Sequence, residues 1–256
     1  MTEMLVGAAA TALDTLSLRL DGELVRPEDA AWDDARTAWN LASDQQPAAV
    51  VLAESADDVA ETILAARAEG LRVAPQGTGH AAAPLGDLSG TILLRTIRMR
   101  GVEIDAQARR ARVEAGVVWQ EVTDAAAEYG LAALAGSSHD VGVLGYSLGG
   151  GVSWLARMYG LAANAIVAAE IVDADGRIRR VDAANDPDLF WALRGGGGAF
   201  AVVTALEIRL FSIAEVYAGT LFFPLERAHG VLDSYFEWAE TMPEQVSSCG
   251  RIMRFP

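Results

Sequence analysis

Cysteine is almost absent. Cys249 stands alone, which rules out an internal disulfide and leaves a buried or partly buried apolar position as its expected role. His80, His139 and His229 lie far apart with no second cysteine, so neither a structural zinc site nor another metal centre is expected. Basic residues are outnumbered, 20 Lys plus Arg against 35 Asp plus Glu, and the formal charge of -15 disfavours nucleic-acid phosphates and anionic membranes as partners. No apolar run approaches the roughly 20 residues that cross a bilayer. Met1 to Ala10 has no basic stretch and carries Glu3, so no signal peptide is read there. A soluble cytoplasmic protein is the expectation.

What remains is a core-forming chain rich in glycine: 256 residues, 52% hydrophobic, 25 Gly. Residues 1–45 read as an N-terminal helical segment, with Trp32 and Trp39 two helical turns apart on one packing face. Ala48 to Leu52 reads as a buried strand. Ser55 with Asp57 and Asp58 caps a helix to about Ala68, with Val59, Ile63, Leu64 and Ala66 as its apolar stripe, and Gly70 ends it. Leu71 to Ala74 then completes a β-α-β unit. Strands are expected over 91–94, 102–105, 111–115, 165–173, 178–182 and 202–210, with Asp175-Gly176 supplying a hairpin turn. Helices are expected over 118–129, with Trp119, Val122, Ala126 and Tyr129 on one side, and over 187–193. Beyond residue 213 a strand (216–224), a helix (225–239) and a strand (247–254) are expected, a sheet begun with an open edge.

The stretch that organises the chain is Leu71 to Leu85, where an apolar run leads into Gly77-Thr78-Gly79-His80. Alternate glycines let backbone N–H groups approach an anion closely, so this reads as a phosphate cradle holding one reactive side chain, His80. The letters also fit the dinucleotide fingerprint G-x-G-x-x-A, but Pro84, Gly86 and Asp87 break the helix that motif requires. Further glycine clusters near residues 145 and 196 fall where strands are expected to end. Three such loops suit a long cofactor that passes several backbone segments, a flavin dinucleotide among them. On spacing alone His80 is a hydrogen-bonded turn residue or a catalytic one, and His139 beside Asp140 is an oriented base or a loop residue. Gly145-Tyr146-Ser147-Leu148-Gly149 matches the nucleophile elbow of serine hydrolases, yet the run before it contains Gly142, the run after it Gly150-Gly151, and only His229 lies downstream. Ser147 therefore reads as a residue beside a ligand or in a turn.

Read in order, several segments resemble the FAD-linked oxidases of the berberine bridge enzyme type, in the vanillyl-alcohol oxidase superfamily. They are Gly77 to His80, Gly136 to Gly142 (GSSHDVG), Leu148 to Gly151, Arg157 to Leu161, Asp173 to Gly176 and Asp188 to Gly198 (DLFWALRGGGG). The resemblance implies an α+β fold: a PCMH-type FAD-binding domain of two α+β subdomains, here 46–213, followed by the start of an antiparallel-sheet substrate domain, 214–256. It implies FAD as cofactor, with covalent attachment at His80 to the flavin 8α-methyl. Gln76, Gly77, Thr78, Gly79, His80 and Ala81 fall on the family's pyrophosphate loop. Ser138, His139, Val141, Gly142, Gly145, Tyr146, Gly150 and Val203 fall at or near further cofactor-binding positions. The implied reaction is hydride transfer from a substrate C–H, on an alcohol, sugar or amine carbon, to flavin N5, with dioxygen reoxidising the flavin.

The chain departs from the family pattern in ways that bear on chemistry. Ser138 stands where members with a second covalent link have cysteine, so a single tether is implied. Gln76 replaces a common arginine and Ala81 a common serine. The family's catalytic tyrosine or acidic base has no counterpart before Pro256, so no catalytic residue is assigned, and the alternative readings are a non-catalytic FAD-binding fragment and, behind it, a serine hydrolase using Ser147. An incomplete sheet with Leu221, Phe222 and Phe223 also implies self-association.

Overall fold

The computed structural model describes residues 11–254. The reading of Met1 to Ala10 as no signal peptide lies outside them. Two sheets share one core, and the first supplies the loop that matters. Its strands are β1 (Glu23–Val25), β2 (Ala49–Leu52), β3 (Arg72–Gln76) and β4 (Thr91–Arg95), in the spatial order β1-β2-β4-β3. β2 and β3 each run parallel to β4, and β1 closes the edge antiparallel to β2. Both faces are covered, which is why 48–52 and 91–94 read as unbroken apolar runs. Val51, Ile92 and Leu94 face the large core; their neighbours Val50, Leu52 and Leu93 face a smaller one with Ala35, Ala74 and Trp32.

Two short helices precede β2, α1 (Ala12–Ser17) and α2 (Trp32–Arg36). The helical reading of 1–45 therefore fails in its middle, where β1 takes up the free edge of β2. Trp32 sits on α2, but Trp39 lies beyond the helix end at Thr37 and is 58% exposed, so the two do not form one packing face. Helix α3 (Ala56–Ala68) crosses from β2 to β3. The Ser55 hydroxyl accepts from Asp58 N–H at 3.1 Å, and the buried Asp58 carboxylate accepts from the N–H groups of Asp21, Gly22 and Glu54. Val59, Ile63 and Ala66 are buried as the stripe requires. Leu64 is not; it leaves the core to lie over the turn at Gly176, where a Cβ would come 2.9 Å from Leu64 Cγ.

The second sheet is antiparallel throughout, in the order β5-β6-β9-β7-β8: β5 (Val102–Asp105), β6 (Arg110–Glu114), β7 (Ile166–Val172), β8 (Ile178–Asp182) and β9 (Val202–Arg209). Helix α4 (Trp119–Ala127) buries Trp119, Val122 and Ala126 against it, and a buried side chain of the size of Val122 stabilises the fold by about 1.5–3 kcal/mol. Tyr129 falls beyond the helix end and is exposed. Helices α5 (Val143–Leu148), α6 (Ala156–Tyr159), α7 (Ala162–Ala165) and α8 (Pro187–Gly196) fill the loops, α8 kinking at Arg194 and Gly195.

Residues 212–224 and 247–254 form no strand; after β9 the one α-helix among the described residues is α9 (Ala228–Glu240). Alternating apolar residues hold a strand only when a neighbour takes their N–H and C=O groups, and among the described residues none lies beside them. Cys249, expected to be at least partly buried, is exposed for the same reason.

Candidate functional site

The site is built at the end of β3 and β4. Gln76, the last residue of β3, pairs in register with Arg95, the last of β4, and both side chains are buried. Arg95 Nη1 donates to Ala35 O at 2.8 Å and to Thr37 O at 3.0 Å, tying down carbonyls at the C-terminus of α2. Burial holds its pKa below the ordinary arginine value. Two residues on, Trp39 N–H donates to Thr78 O, so the segment leaving α2 is fastened to the glycine loop.

That loop turns at Gly79, whose φ of +88° and close approach to Ala38 (2.8 Å from an added Cβ) admit only glycine comfortably. His80 follows. Its Nδ1 lies 2.8 Å from Thr78 Oγ1, and its ring stacks on Trp39 with centroids 3.9 Å apart and planes 15° from parallel. Trp39 Nε1–H donates to Asp140 Oδ2 at 2.8 Å, while Asp140 Oδ1 lies 3.8 Å from His80 Nε2.

Three glycine segments converge here, though not as the sequence suggests. Gly142 N-caps α5 against Thr78, a Cβ there falling 3.7 Å from Thr78 Cγ2. Gly198 packs on Pro75, just ahead of the first loop. Gly145, however, lies inside α5 and not at a strand end, and it and Gly150 meet no loop atom closely. Ser138 and His139 are exposed on the loop before α5, where Gln120 N–H donates to His139 O; Trp119 N–H donates to Val141 O. Ala81 is exposed beyond His80. Val203 is buried in β9 beside Thr204, whose carbonyl accepts from Ala115 N–H; the Ala115 carbonyl in turn backs Gly77. Sequence reasoning missed Trp39, Asp140, Arg95 and Gln45. Asp140 had a signal, its place beside His139, but it turns to His80.

The arrangement leaves polar groups unanswered among the described residues. Gln76 Nε2 donates to Gln45 Oε1 at 2.9 Å, and the outer atoms of that pair, Gln76 Oε1 and Gln45 Nε2, are buried with no partner. His80 Nε2 and the Tyr146 hydroxyl are likewise unpartnered. Burial pushes the Tyr146 phenol up to about 12, so it is a neutral donor. Orphaned donors and acceptors around a glycine cradle fit a polar, phosphate-bearing ligand. A cavity of about 470 Å³ opens nearby between α3, β3 and the β7–β8 turn, lined by Ile63, Pro75, Val172 and Phe200, but none of residues 76–81 lines it.

A family model described as FAD binding domain matches residues 47–182, over half of the chain. The chain belongs to that FAD-binding family. Its relatives include the (R)-6-hydroxynicotine oxidase of Paenarthrobacter nicotinovorans, 35% identical over 90% of this chain and 51% of that protein. Among solved structures, the glucooligosaccharide oxidase of Acremonium strictum, described as revealing a novel flavinylation, superposes with a TM-score of 0.79 at 30% identity, covering 93% of this chain and 51% of the other. BBE-like 1 of Physcomitrella patens superposes with a TM-score of 0.73 at 26% identity over 78% of this chain and 44% of that one. The chain spans about half the length of the curated relatives it matches. Within this FAD-binding fold, of the PCMH type, Ser147 is no nucleophile elbow: it lies in the last turn of α5, 1% exposed, its hydroxyl unpartnered among the described residues. His229, the one histidine downstream, is exposed on α9.

Proposed function

We propose that this chain is the FAD-binding part of an oxidoreductase that oxidises a small molecule at a carbon bearing oxygen or nitrogen, with His80 as its single covalent tether. The observation that carries this is His80 itself, set at the mouth of the glycine loop, stacked on one face by Trp39 and met at Nδ1 by the Thr78 hydroxyl. Bound FAD would supply the two-electron acceptor for hydride from the substrate, dioxygen then taking the electrons to give peroxide. The residues of the chain have simpler tasks. Backbone N–H groups of Gly77 to His80 would hold the pyrophosphate; Gln76 and Gln45 offer neutral hydrogen-bonding atoms where an arginine charge is missing. Tyr146 offers a phenolic O–H. A bond at His80 would replace one hydrogen on a ring nitrogen and one on the 8α carbon, and dioxygen would carry off both hydrogens and the electron pair as peroxide. Residues 46–213 form the cofactor unit and 214–256 open a substrate domain. Relatives named for 6-hydroxynicotine and for glucooligosaccharide support amine or sugar carbons as the substrate class.

A visible spectrum before and after acid precipitation tests the reading. Flavin absorbance that stays with the precipitated protein is expected. Protein that remains colourless after incubation with FAD refutes it.

A further inference from the structure

His80 is surrounded by residues from three distant parts of the chain. Trp39 covers one face of the imidazole, Thr78 Oγ1 meets Nδ1, and Asp140 faces Nε2. Trp39 does two things at once. Its ring stacks on His80, and its indole N–H, at 2.8 Å from Asp140 Oδ2, points that carboxylate so that Oδ1 lies 3.8 Å from Nε2. A tryptophan placed only for packing would turn inward; this one is 58% exposed and held by its backbone N–H to Thr78 O. Its segment is anchored from beneath by Arg95 through Thr37 O.

We infer that Trp39 and Asp140 are positioning residues for His80: the indole fixes the ring plane and the carboxylate, and the carboxylate keeps hydrogen on Nε2, leaving Nδ1 as the unprotonated nitrogen. Which imidazole nitrogen carries hydrogen is set by what faces the other one. At 3.8 Å the Asp140 carboxylate does not hydrogen-bond Nε2 but acts on it as a nearby negative charge with no hydrogen to donate, so it favours N–H at Nε2, and the Thr78 hydroxyl, free to rotate, then donates to Nδ1 and can swing aside. As Nδ1 bonds to carbon the ring gains positive charge close to Asp140; the Nε2 proton leaves through that carboxylate, and the electron pair goes to dioxygen as in the reaction above. The inference rests on His80 taking the flavin.

The test uses the 256-residue chain produced without flavin, labelled with 15N-histidine, at a pH where the ring is neutral, and then incubated with FAD. Long-range proton–nitrogen spectra, with His80 assigned by its loss in His80→Ala, are expected to show the Nε2–H tautomer in the wild type and a shift toward Nδ1–H in Asp140→Asn, whose amide can donate to Nε2. Intact mass is expected to show covalent addition slowed roughly tenfold or more in Asp140→Asn and in Trp39→Phe, which keeps an aromatic ring but loses the N–H. Peptide mapping places the adduct. An Nδ1–H tautomer in the wild type, or both variants adding flavin at the wild-type rate, overturns the inference. A wild type that acquires no adduct on His80 defeats the attachment reading instead, and the tautomer then decides the positioning alone.

Discussion

Gln76 and Arg95 face each other across the last rung of the parallel β3–β4 ladder, one entering the glycine loop and the other holding the segment that covers it. Arg95 is buried and receives no carboxylate among the described ion pairs; its partners are backbone carbonyls at the end of α2. Replacing it by Met removes donors from two carbonyls and is expected to destabilise the fold by about 1–3 kcal/mol, measured by denaturant titration. Because those carbonyls set the path to Trp39, the variant should also retain less flavin. Equal stability and equal retention would show that water serves the carbonyls as well.

Gly79 and Gly70 provide a matched pair. Both have positive φ, +88° and +67°, but a Cβ at Gly79 meets Ala38 at 2.8 Å and one at Gly70 meets nothing within 4 Å. Alanine at Gly70 is expected to cost about 1 kcal/mol through backbone strain alone and to leave flavin content unchanged. At Gly79 the same substitution adds a clash under the loop and is expected to abolish flavin retention, read as the flavin-to-protein absorbance ratio. The loop is not the cofactor's cradle if the two variants hold equal flavin.

Much of the first sheet was legible because its signals are local. Ser55 with Asp58 announces a helix start, Gly70 a stop, and unbroken apolar runs at 49–52 and 92–94 two strands covered on both faces. The loop was legible as Gly77-Thr78-Gly79-His80, and the fold and cofactor through the order of motifs along the chain. The partners of His80 were not. Trp39 and Asp140 are 101 residues apart and meet only because Arg95 draws one segment inward while Gly142 starts α5 against Thr78. Beyond residue 213 the alternating pattern pointed to strands, but pattern alone supplies no neighbour to pair with.

Acid is expected to weaken the second sheet in a defined window. Arg112 on β6 grips Glu170 on β7 with two bonds of 2.7 Å, which holds the Glu170 carboxyl below its usual value and raises the guanidinium. A lowered carboxyl pKa contributes stability that is complete above the unfolded-state value of 4.5 and is lost as pH falls through the folded-state value below it. Urea titrations of wild type and Arg112→Met should therefore differ most at neutral pH and converge as pH drops well below 4.5. A difference that stays constant across that range would assign the effect to packing of the arginine stem.

Residues 217–238 carry an apolar surface that nothing among the described residues covers. Leu221 and Phe222 are 83% and 80% exposed, Tyr217 is fully exposed, and Phe236 and Trp238 on α9 are 62% and 44% exposed. Each large side chain left in water forgoes about 1.5–3 kcal/mol of burial, and exposed apolar side chains in such number promote association. The segment is loosely tied to the FAD-binding part, with Arg157 donating to Met242 O and Val246 O at 2.9 and 2.7 Å. The chain alone is therefore expected to self-associate through this surface, and Leu221→Ser with Phe222→Ser to shift it toward monomer without loss of bound flavin, since neither residue approaches the glycine loops. Sedimentation velocity over a wide concentration range reads the first effect and flavin absorbance the second. A wild-type chain that stays monomeric at high concentration would mean that these side chains find cover within the chain itself.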